Sequence, residues 1–300
     1  GTNPRFEATI LNARIRKAYL KNKVKILSLT DVGDLTYPYE ILNGDSKTIK
    51  EITDNKSEIS NLIKESKKPM IIMGQSILKS KSSKFIFESF KSFLIKNNKI
   101  NAEWNSLNII SEDAATVGSF DLGIYKTKDG SNEILENMKN NKFEVIFLMG
   151  QDNLDFKKTN EFIIYLGSHG DKGAEMADII LPGAAYTEQN GYFTNLEGKL
   201  QKALKASYPP GNAKEDWKII NELAEVISGK KLFNDRDELE SSLLNYIKLF
   251  KDQNHIKKNS EVTNLNFLDE HIKIINNDYY YSNVIARASK TMLECKKEKI

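Results

Sequence analysis

Short apolar runs that alternate with helical patterns constrain the fold of this chain most. The clearest run is Val145–Met149, five apolar residues followed by Gly150. An uninterrupted apolar strand of this kind is typical of a parallel sheet that is covered on both faces. Comparable runs occur at Val24–Leu29, Pro69–Met73, Leu107–Ile110, Phe162–Leu166 and Ile179–Leu181. The alternation predicts an α/β fold with a doubly wound, mostly parallel sheet and right-handed crossovers.

Helical periodicity fills many of the spaces between these strands. It predicts helices over Phe6–Leu20, Ser57–Lys67, Lys79–Lys96 and Ser131–Asn140. The first five residues indicate a strand-to-helix loop, with Asn3 as the N-cap and Pro4 at the first helical position. Because such a loop follows a strand, we expect the first strand of the fold to lie upstream of this sequence.

The pattern changes after Leu181. Tyr192–Lys199 predicts a strand pair or an extended segment, and helices are predicted from about Asn212 and over Asp237–Phe250. The last 50 residues are polar and rich in Asn and Lys, which predicts an extended arm with Tyr279–Tyr281 as its anchor. We therefore divide the chain into an α/β region (1–208), a helical segment that packs on it (209–250) and a C-terminal arm (251–300).

Composition excludes several kinds of site. Lys and Arg number 44 against 41 Asp and Glu, and the interspersed charges indicate a solvated surface and no nucleic-acid partner. One cysteine and three histidines exclude an intrachain disulfide, a Cys-rich zinc site and an iron–sulfur cluster built by this chain alone. With so few Cys and His residues, we also expect no metal site. No run of about 18 apolar residues occurs, so we expect no direct membrane span.

The densest set of reactive side chains lies in Gly167–Gly173, directly after a predicted strand. Ser168, His169 and Asp171 fall within four residues, which suggests a hydrolase triad. Adjacent residues on one tight loop rarely reach relay geometry, and the G-x-S-x-G elbow is absent. Glycines at such positions are more typical of tight turns. An independent α/β hydrolase that uses His169 and Asp171 stays open as one alternative.

Other candidate residues have simpler interpretations. Glu188 and Glu197 could pair as acid and base, but isolated glutamates near turns are usually surface residues. Cys295, close to the end of the sequence, is expected to be a bystander. Three arginines in the first 16 residues could hold an anion at a helix N-terminus, although ion pairs with a neighbouring domain are favoured. They are Arg5, Arg14 and Arg16.

Several segments of the chain form a familiar pattern. They are Gly1–Ala8, Asn12–Lys17, Asp34–Tyr37, Lys67–Met70, Gly170–Ala174, Ala177–Glu188, Asn195–Gln201, Pro209–Gly211, Glu215–Ile220 and Arg287–Met292 with Cys295. Together they resemble the C-terminal part of the large iron–sulfur subunit of respiratory complex I, which has the fold of molybdopterin oxidoreductases. The resemblance runs from residue 1 to about residue 230 and resumes near residues 278–295.

The resemblance implies that the redox centres lie elsewhere. In that family the upstream part of the subunit carries [2Fe–2S] and [4Fe–4S] clusters, so we expect no cofactor in this chain and the clusters in an upstream part or a partner chain. Pterin enzymes with this fold use a segment A-D-x-x-L-P…E…N-x-E-G-R to hold a pterin dinucleotide. Here Lys199 replaces the arginine, which favours a vestigial site because lysine lacks the bidentate guanidinium. We expect no catalytic, cofactor-binding or metal-binding residues.

The resemblance therefore implies a scaffold portion of the peripheral arm of NADH:quinone oxidoreductase. Its partners would be the upstream iron–sulfur part of the subunit and other peripheral-arm subunits, contacted through the Arg-rich start and the Tyr-rich tail. The implied location is the matrix side of the mitochondrial inner membrane, with the cytoplasmic face of a bacterial inner membrane as the alternative. A domain that retains pterin-dinucleotide binding in a redox enzyme stays open as the main alternative function.

Overall fold

Each of the two structural units of this chain combines two separated stretches of sequence. The computed structural model describes residues 1–124, 132–151, 154, 157–253, 267–275 and 278–298. Unit 1 comprises Gly1–Asp113 and Ile256–Asn277, and unit 2 comprises Ala114–His255 and Asp278–Ile300. No helix in these described ranges is long and apolar enough to cross a membrane. The division near residues 208 and 250 stays a prediction.

In its described residues, unit 1 contains six helices and two short parallel strand pairs. The helices are α1 (Pro4–Glu7), α2 (Thr9–Asn22), α3 (Ser46–Thr53), α4 (Glu58–Glu65), α5 (Gln75–Leu78) and α6 (Ser83–Lys96). The strands are β1 (Leu27–Ser28), β2 (Glu40–Ile41), β3 (Ile71–Met73) and β4 (Leu107–Ile109). Strand β1 pairs with β2 and β3 pairs with β4. Buried side chains of α3, β3 and α6 form the main core, among them Ile49, Met73, Ile86 and Leu94.

The predicted helix Phe6–Leu20 is two helices in the structure, separated at Ala8. Asn3 caps α1 and Pro4 occupies its first turn, which confirms that part of the prediction. The Glu7 carboxylate turns back and accepts a hydrogen bond from the Asn3 amide at 2.8 Å. Ala8 has a φ of −152°, far from the helical region, so the prediction of one continuous helix is wrong.

Residues 267–275, which we call the clasp segment, complete unit 1 from a distant part of the sequence. The Ser46 hydroxyl donates to the Leu268 carbonyl at 2.7 Å, and the Ile272 amide donates to the Gly44 carbonyl at 2.9 Å. The Ile272 side chain is only 2 % exposed and belongs to the main core. This part of the predicted arm therefore packs on unit 1.

Unit 2, where described, contains a three-stranded parallel sheet, an antiparallel hairpin and seven helices. The strands are β5 (Val145–Met149), β6 (Phe162–Gly167), β7 (Ile179–Pro182), β8 (Gly191–Thr194) and β9 (Leu200–Ala203). The helices are α7 (Thr116–Asp121), α8 (Asn132–Lys139), α9 (Lys172–Met176), α10 (Asp216–Ser228), α11 (Arg236–Gln253), α12 (Val284–Ala288) and α13 (Lys290–Glu298). The sheet has the order β5-β6-β7, and β8 pairs with β9.

The strands confirm the mixed helix–strand class with parallel sheets. Strand β5 has the bounds that the sequence predicts. Its residues Ile146 and Leu148 are buried, whereas Val145, Phe147 and Met149 are about half exposed. The described strands fall into four small sheets, three of them parallel, so the doubly wound arrangement stays a prediction.

The end of the chain is helical where an extended arm is predicted. Tyr279–Tyr281 form a 3-10 turn that leads into α12 and α13. The Asp278 carboxylate accepts a hydrogen bond from the Tyr280 amide at 3.1 Å, and the Arg287 guanidinium donates to the Tyr281 carbonyl at 3.3 Å. Hydrogen bonds of this kind at helix ends stabilise helical turns. The expectation of an extended arm is wrong over Tyr279–Glu298, because these residues form the 3-10 turn, α12 and α13.

Candidate functional site

The Gly167–Gly173 loop leaves the carboxyl end of β6, the edge at which α/β sheets commonly bind ligands. The Ser168 Oγ and His169 Nδ1 atoms lie 3.0 Å apart, and the Tyr165 hydroxyl donates to the His169 carbonyl at 3.0 Å. A Cβ added at Gly173 would lie 2.6 Å from the Gln151 carbonyl oxygen and 2.9 Å from the Tyr165 ring. Gly173 does not have a positive φ. This glycine therefore permits the close approach of the Gln151 backbone and of Tyr165.

The Asp171 carboxylate is bonded to groups other than His169 and does not complete a Ser-His-Asp triad. Its Oδ2 atom lies 2.6 Å from Nε of Arg287, and its Oδ1 atom accepts a hydrogen bond from the Lys172 amide at 2.8 Å. The Arg287 hydrogen bond is the main reason that the pKa of Asp171 lies below its usual range. A triad needs the third residue to orient the histidine, and within the described chain no hydrogen bond joins Asp171 to His169.

Beside this ion pair lies a cleft of about 280 Å³, lined by Gly170, Asp171, Tyr281, Arg287 and Ala288. The carboxylate and the guanidinium are bonded to each other, so the charge in the cleft is compensated within the protein. The cleft therefore marks where the tail of unit 2 packs on the loop. Its lining residues come from the predicted ligand loop, Gly167–Gly173, and from the predicted Tyr-rich tail.

Asp178 ties strand β7 to its neighbour β6. Its Oδ2 atom accepts a hydrogen bond from the Ile163 amide at 2.8 Å, and its own amide donates to the Ile163 carbonyl at 2.8 Å. The Lys158 ammonium lies 2.6 Å from Oδ1. The hydrogen bond from Lys158, followed by that from Ile163, holds the pKa of Asp178 below its usual range. Asp178 therefore holds the start of β7 against the neighbouring strand β6.

Gly183 is constrained by its neighbours and not by its backbone conformation. A Cβ added there would lie 2.7 Å from Oδ1 of Asp216 and 3.1 Å from Cδ2 of Leu166. Gly183 does not have a positive φ, so its backbone conformation does not require a glycine. Burial raises the pKa of Asp216, whose Oδ2 atom accepts a hydrogen bond from Gln189 at 3.0 Å. The glycine makes room for this partly buried carboxylate.

The β8–β9 hairpin carries the rest of the segment that resembles a pterin-binding motif. Asn195 Oδ1 accepts hydrogen bonds from the Glu197 and Lys199 amides at 3.0 and 2.9 Å. Glu188 Oε2 accepts a hydrogen bond from the Ala185 amide at 3.0 Å. Glu197 and Lys199 are exposed. No hydrogen bond joins Glu188 to Glu197 in the part of the chain that the structure describes, so the hypothetical acid–base pair is not assembled.

An ionic network that the sequence analysis missed joins the hairpin to α10 and α11. The Arg236 guanidinium lies 2.6 Å from Oε2 of Glu215 and 2.9 Å from Oε1 of Glu240, and the Lys202 ammonium lies 2.6 Å from Oε2 of Glu240. Hydrogen bonds from Lys202 and then Arg236 lower the pKa of Glu240 to about 2. The i,i+4 spacing of Arg236 and Glu240 was a sequence signal for part of this network.

Two of the candidate arginines bind groups of unit 1, and the candidate cysteine belongs to unit 2. Arg5 forms an ion pair with Asp34, and Arg16 donates to the Thr36 carbonyl at 3.2 Å. Cys295 is an exposed free thiol in α13.

One long match to a known family covers the Gly167–Gly173 loop, Asp178 and the β8–β9 hairpin. Residues 1–226 match the molybdopterin oxidoreductase family, which is 226 of the 300 residues. The chain belongs to the molybdopterin oxidoreductase family. The predicted resemblance in fold is thereby confirmed.

Curated relatives of this molybdopterin oxidoreductase domain are named as subunits of NADH oxidoreductases. The NADH-ubiquinone oxidoreductase 75 kDa subunit of Reclinomonas americana is 38 % identical over 304 residues. The mitochondrial NADH-ubiquinone oxidoreductase 78 kDa subunit of Candida albicans is 35 % identical over 317, and an NADH-quinone oxidoreductase subunit of Rickettsia bellii is 34 % identical over 301. Each alignment covers 98 % of this chain but only 43 %, 42 % and 43 % of the respective relatives. The chain thus spans about two fifths of their length.

The polar groups of the motif do not fit a pterin dinucleotide. Asp178, Glu188 and Asn195 each accept hydrogen bonds from backbone amides of this chain. Phosphate groups of a dinucleotide require donors, best supplied by arginine in a bidentate arrangement, and Lys199 offers only a point charge on an exposed turn. The motif in this chain holds its own strands and turns together.

Proposed function

We propose that this chain is a structural portion of the peripheral arm of a respiratory NADH:quinone oxidoreductase, complex I. In this proposal it supports electron transfer and carries out no chemical step. The names of its relatives support the placement in that enzyme. The observation that carries the scaffold role is that Asp178, Glu188 and Asn195 are all bonded to the chain's own backbone.

The electron carriers of this enzyme belong to other parts of it. One cysteine and three histidines are too few for the [2Fe–2S] and [4Fe–4S] clusters, which we assign to the upstream part of the same subunit or to a partner chain. We assign no catalytic, cofactor-binding or metal-binding residue to this chain. The compensated ion pair of Asp171 with Arg287 supports that assignment over the hydrolase alternative.

Its partners in this proposal are the upstream iron–sulfur part and other peripheral-arm subunits. The location we favour is the matrix side of the mitochondrial inner membrane, supported by the mitochondrial relative, with the cytoplasmic face of a bacterial inner membrane as the alternative. We also propose a doubly wound sheet, because helix α6 connects parallel strands β3 and β4 and helix α9 connects β6 and β7.

Affinity purification of the tagged full protein from its source membranes tests this function. We expect the chain to elute in a particle that oxidises NADH with a quinone acceptor and shows iron–sulfur absorption from its partners. We also expect no molybdenum in proportion to the chain. A chain that elutes apart from NADH-oxidising activity would contradict the placement in complex I. About one molybdenum per chain would instead favour the pterin alternative.

A further inference from the structure

The outward face of α2 carries cations that are not neutralised within unit 1. Residues Thr9–Asn22 include four cations and no carboxylate. These four side chains are exposed, and none takes part in an ion pair in the described chain. They are Arg14, Arg16, Lys17 and Lys21. Some other cations of unit 1, such as Arg5 and Lys25, are paired with carboxylates, whereas α2 carries four cations along one helix without a carboxylate.

The same face exposes apolar side chains between the cations. Ile10 is 74 % exposed and Leu20 is 54 % exposed. An open space of about 410 Å³ lies between side chains of this one helix, those of Ala13, Arg16, Lys17, Leu20 and Lys21. The surface around it combines apolar side chains with cations, and such a surface can contact the apolar face of a partner helix.

The opposite face of α2 is fixed to unit 1. The Asn12 side chain donates to the Leu35 carbonyl at 3.0 Å and accepts a hydrogen bond from the Tyr37 hydroxyl at 2.8 Å. Ile15 and Tyr19 pack against a small buried cluster that contains Leu35 and Tyr37. The helix therefore presents its basic face from a rigid support, which lowers the entropic cost of binding.

We propose that this face of α2 is a docking surface for an acidic protein segment, an amphipathic helix whose carboxylates face the cations and whose apolar side chains contact Ala13 and Leu20. Charge complementarity selects this partner. A lipid surface suits the helix less, because binding in a membrane interface needs a broad apolar face and the main apolar face of α2 is packed inside unit 1. This inference rests on the proposed function, because it assumes that the partner is another part of the peripheral arm.

Charge reversal tests the docking surface in the assembled enzyme. The full protein carrying Arg14→Glu, Lys17→Glu and Lys21→Glu should associate with the peripheral arm about tenfold more weakly at low salt, and its association should depend less on salt. The control carries Lys47→Glu, Lys67→Glu and Lys84→Glu. These three lysines of unit 1 are also exposed and unpaired among the described residues, so the net charge changes equally. Equal association of both triple variants would overturn the proposal.

Photocrosslinking keeps the test independent of whether the reversed chain folds. With Leu20 replaced by p-benzoylphenylalanine in the assembled enzyme, we expect a crosslink to a protein segment in which carboxylates outnumber cations. A crosslink to lipid, to a basic segment or to nothing would overturn the proposal. The proposal would also be overturned if the unmodified chain bound phosphatidylglycerol vesicles and the charge-reversed variant did not. A wild-type chain that never enters the enzyme would instead refute the proposed function.

Discussion

Replacing Ile272 with alanine should destabilise unit 1, because the clasp segment supplies a core side chain from a distant part of the sequence. Ile272 is 2 % exposed and lies in the cluster with Ile49, Ile52 and Met73. Shortening a fully buried isoleucine to alanine costs about 2–5 kcal/mol, from lost burial and from the cavity left behind. The backbone hydrogen bonds of the clasp segment do not depend on this side chain.

Urea unfolding monitored by tryptophan fluorescence can show which unit loses free energy of unfolding. The chain has two tryptophans, Trp104 in unit 1 and Trp217 in unit 2. In a Trp217→Phe background, a loss of about 3 kcal/mol with a slope of about 2 kcal/mol per molar urea lowers the midpoint by about 1.5 M. In a Trp104→Phe background, the midpoint reported by unit 2 should stay the same.

Leu268→Ala is the matched control within the clasp segment. Leu268 is 46 % exposed, and its carbonyl accepts hydrogen bonds from the Ser46 and Ser82 hydroxyls whatever its side chain. We expect its loss to stay below about 1 kcal/mol, as for most surface substitutions. If Ile272→Ala left the Trp104 transition unchanged, the clasp segment would not be part of the core of unit 1.

Further predictions concern the site. Gly183→Ala should lower the unfolding midpoint in thermal denaturation, because the added Cβ would lie 2.7 Å from Oδ1 of Asp216. An unchanged midpoint would contradict the close approach. Lys202 and Arg236 lower the folded-state pKa of Glu240 to about 2 from an ordinary 4.5. The stability that this carboxylate contributes is therefore fully present well above pH 4.5 and is lost as the pH falls toward 2. Glu240→Gln should flatten this acid branch of a plot of Tm against pH, and an unaltered branch would exclude the network as its source. His169→Ala should leave NADH oxidation per assembled complex nearly unchanged, and a loss of about a hundredfold would indicate chemistry at the loop.

Local features were predictable from the sequence because neighbouring residues determine them. The cap formed by Asn3 and Pro4 follows from short-range hydrogen bonding. Strand β5 follows from its apolar run between polar residues. The break at Ala8 was not predictable in this way, since it coincides with a carboxylate, that of Glu7, turning back on the chain.

Long-range partnerships account for most of what the sequence could not predict. Ser46 meets Leu268 across 222 positions, and Asp171 meets Arg287 across 116. No periodicity relates residues so far apart, so neither the clasp segment nor the neutralised Asp171 could be inferred from pattern alone. The role of Gly183 could not be predicted for the same reason, because the carboxylate that it accommodates belongs to Asp216 on a later helix.

The scaffold role is tested most directly by Asp178→Ala, with assembly and turnover measured separately. The substitution removes the acceptor of the Ile163 amide and the partner of Lys158, so it should destabilise unit 2. We expect a smaller amount of assembled complex, quantified by native gel or immunoblot, with unchanged NADH oxidation per assembled complex. A normal amount of complex with turnover reduced about a hundredfold would contradict the account, because the motif would then act in the chemistry and not in holding the fold.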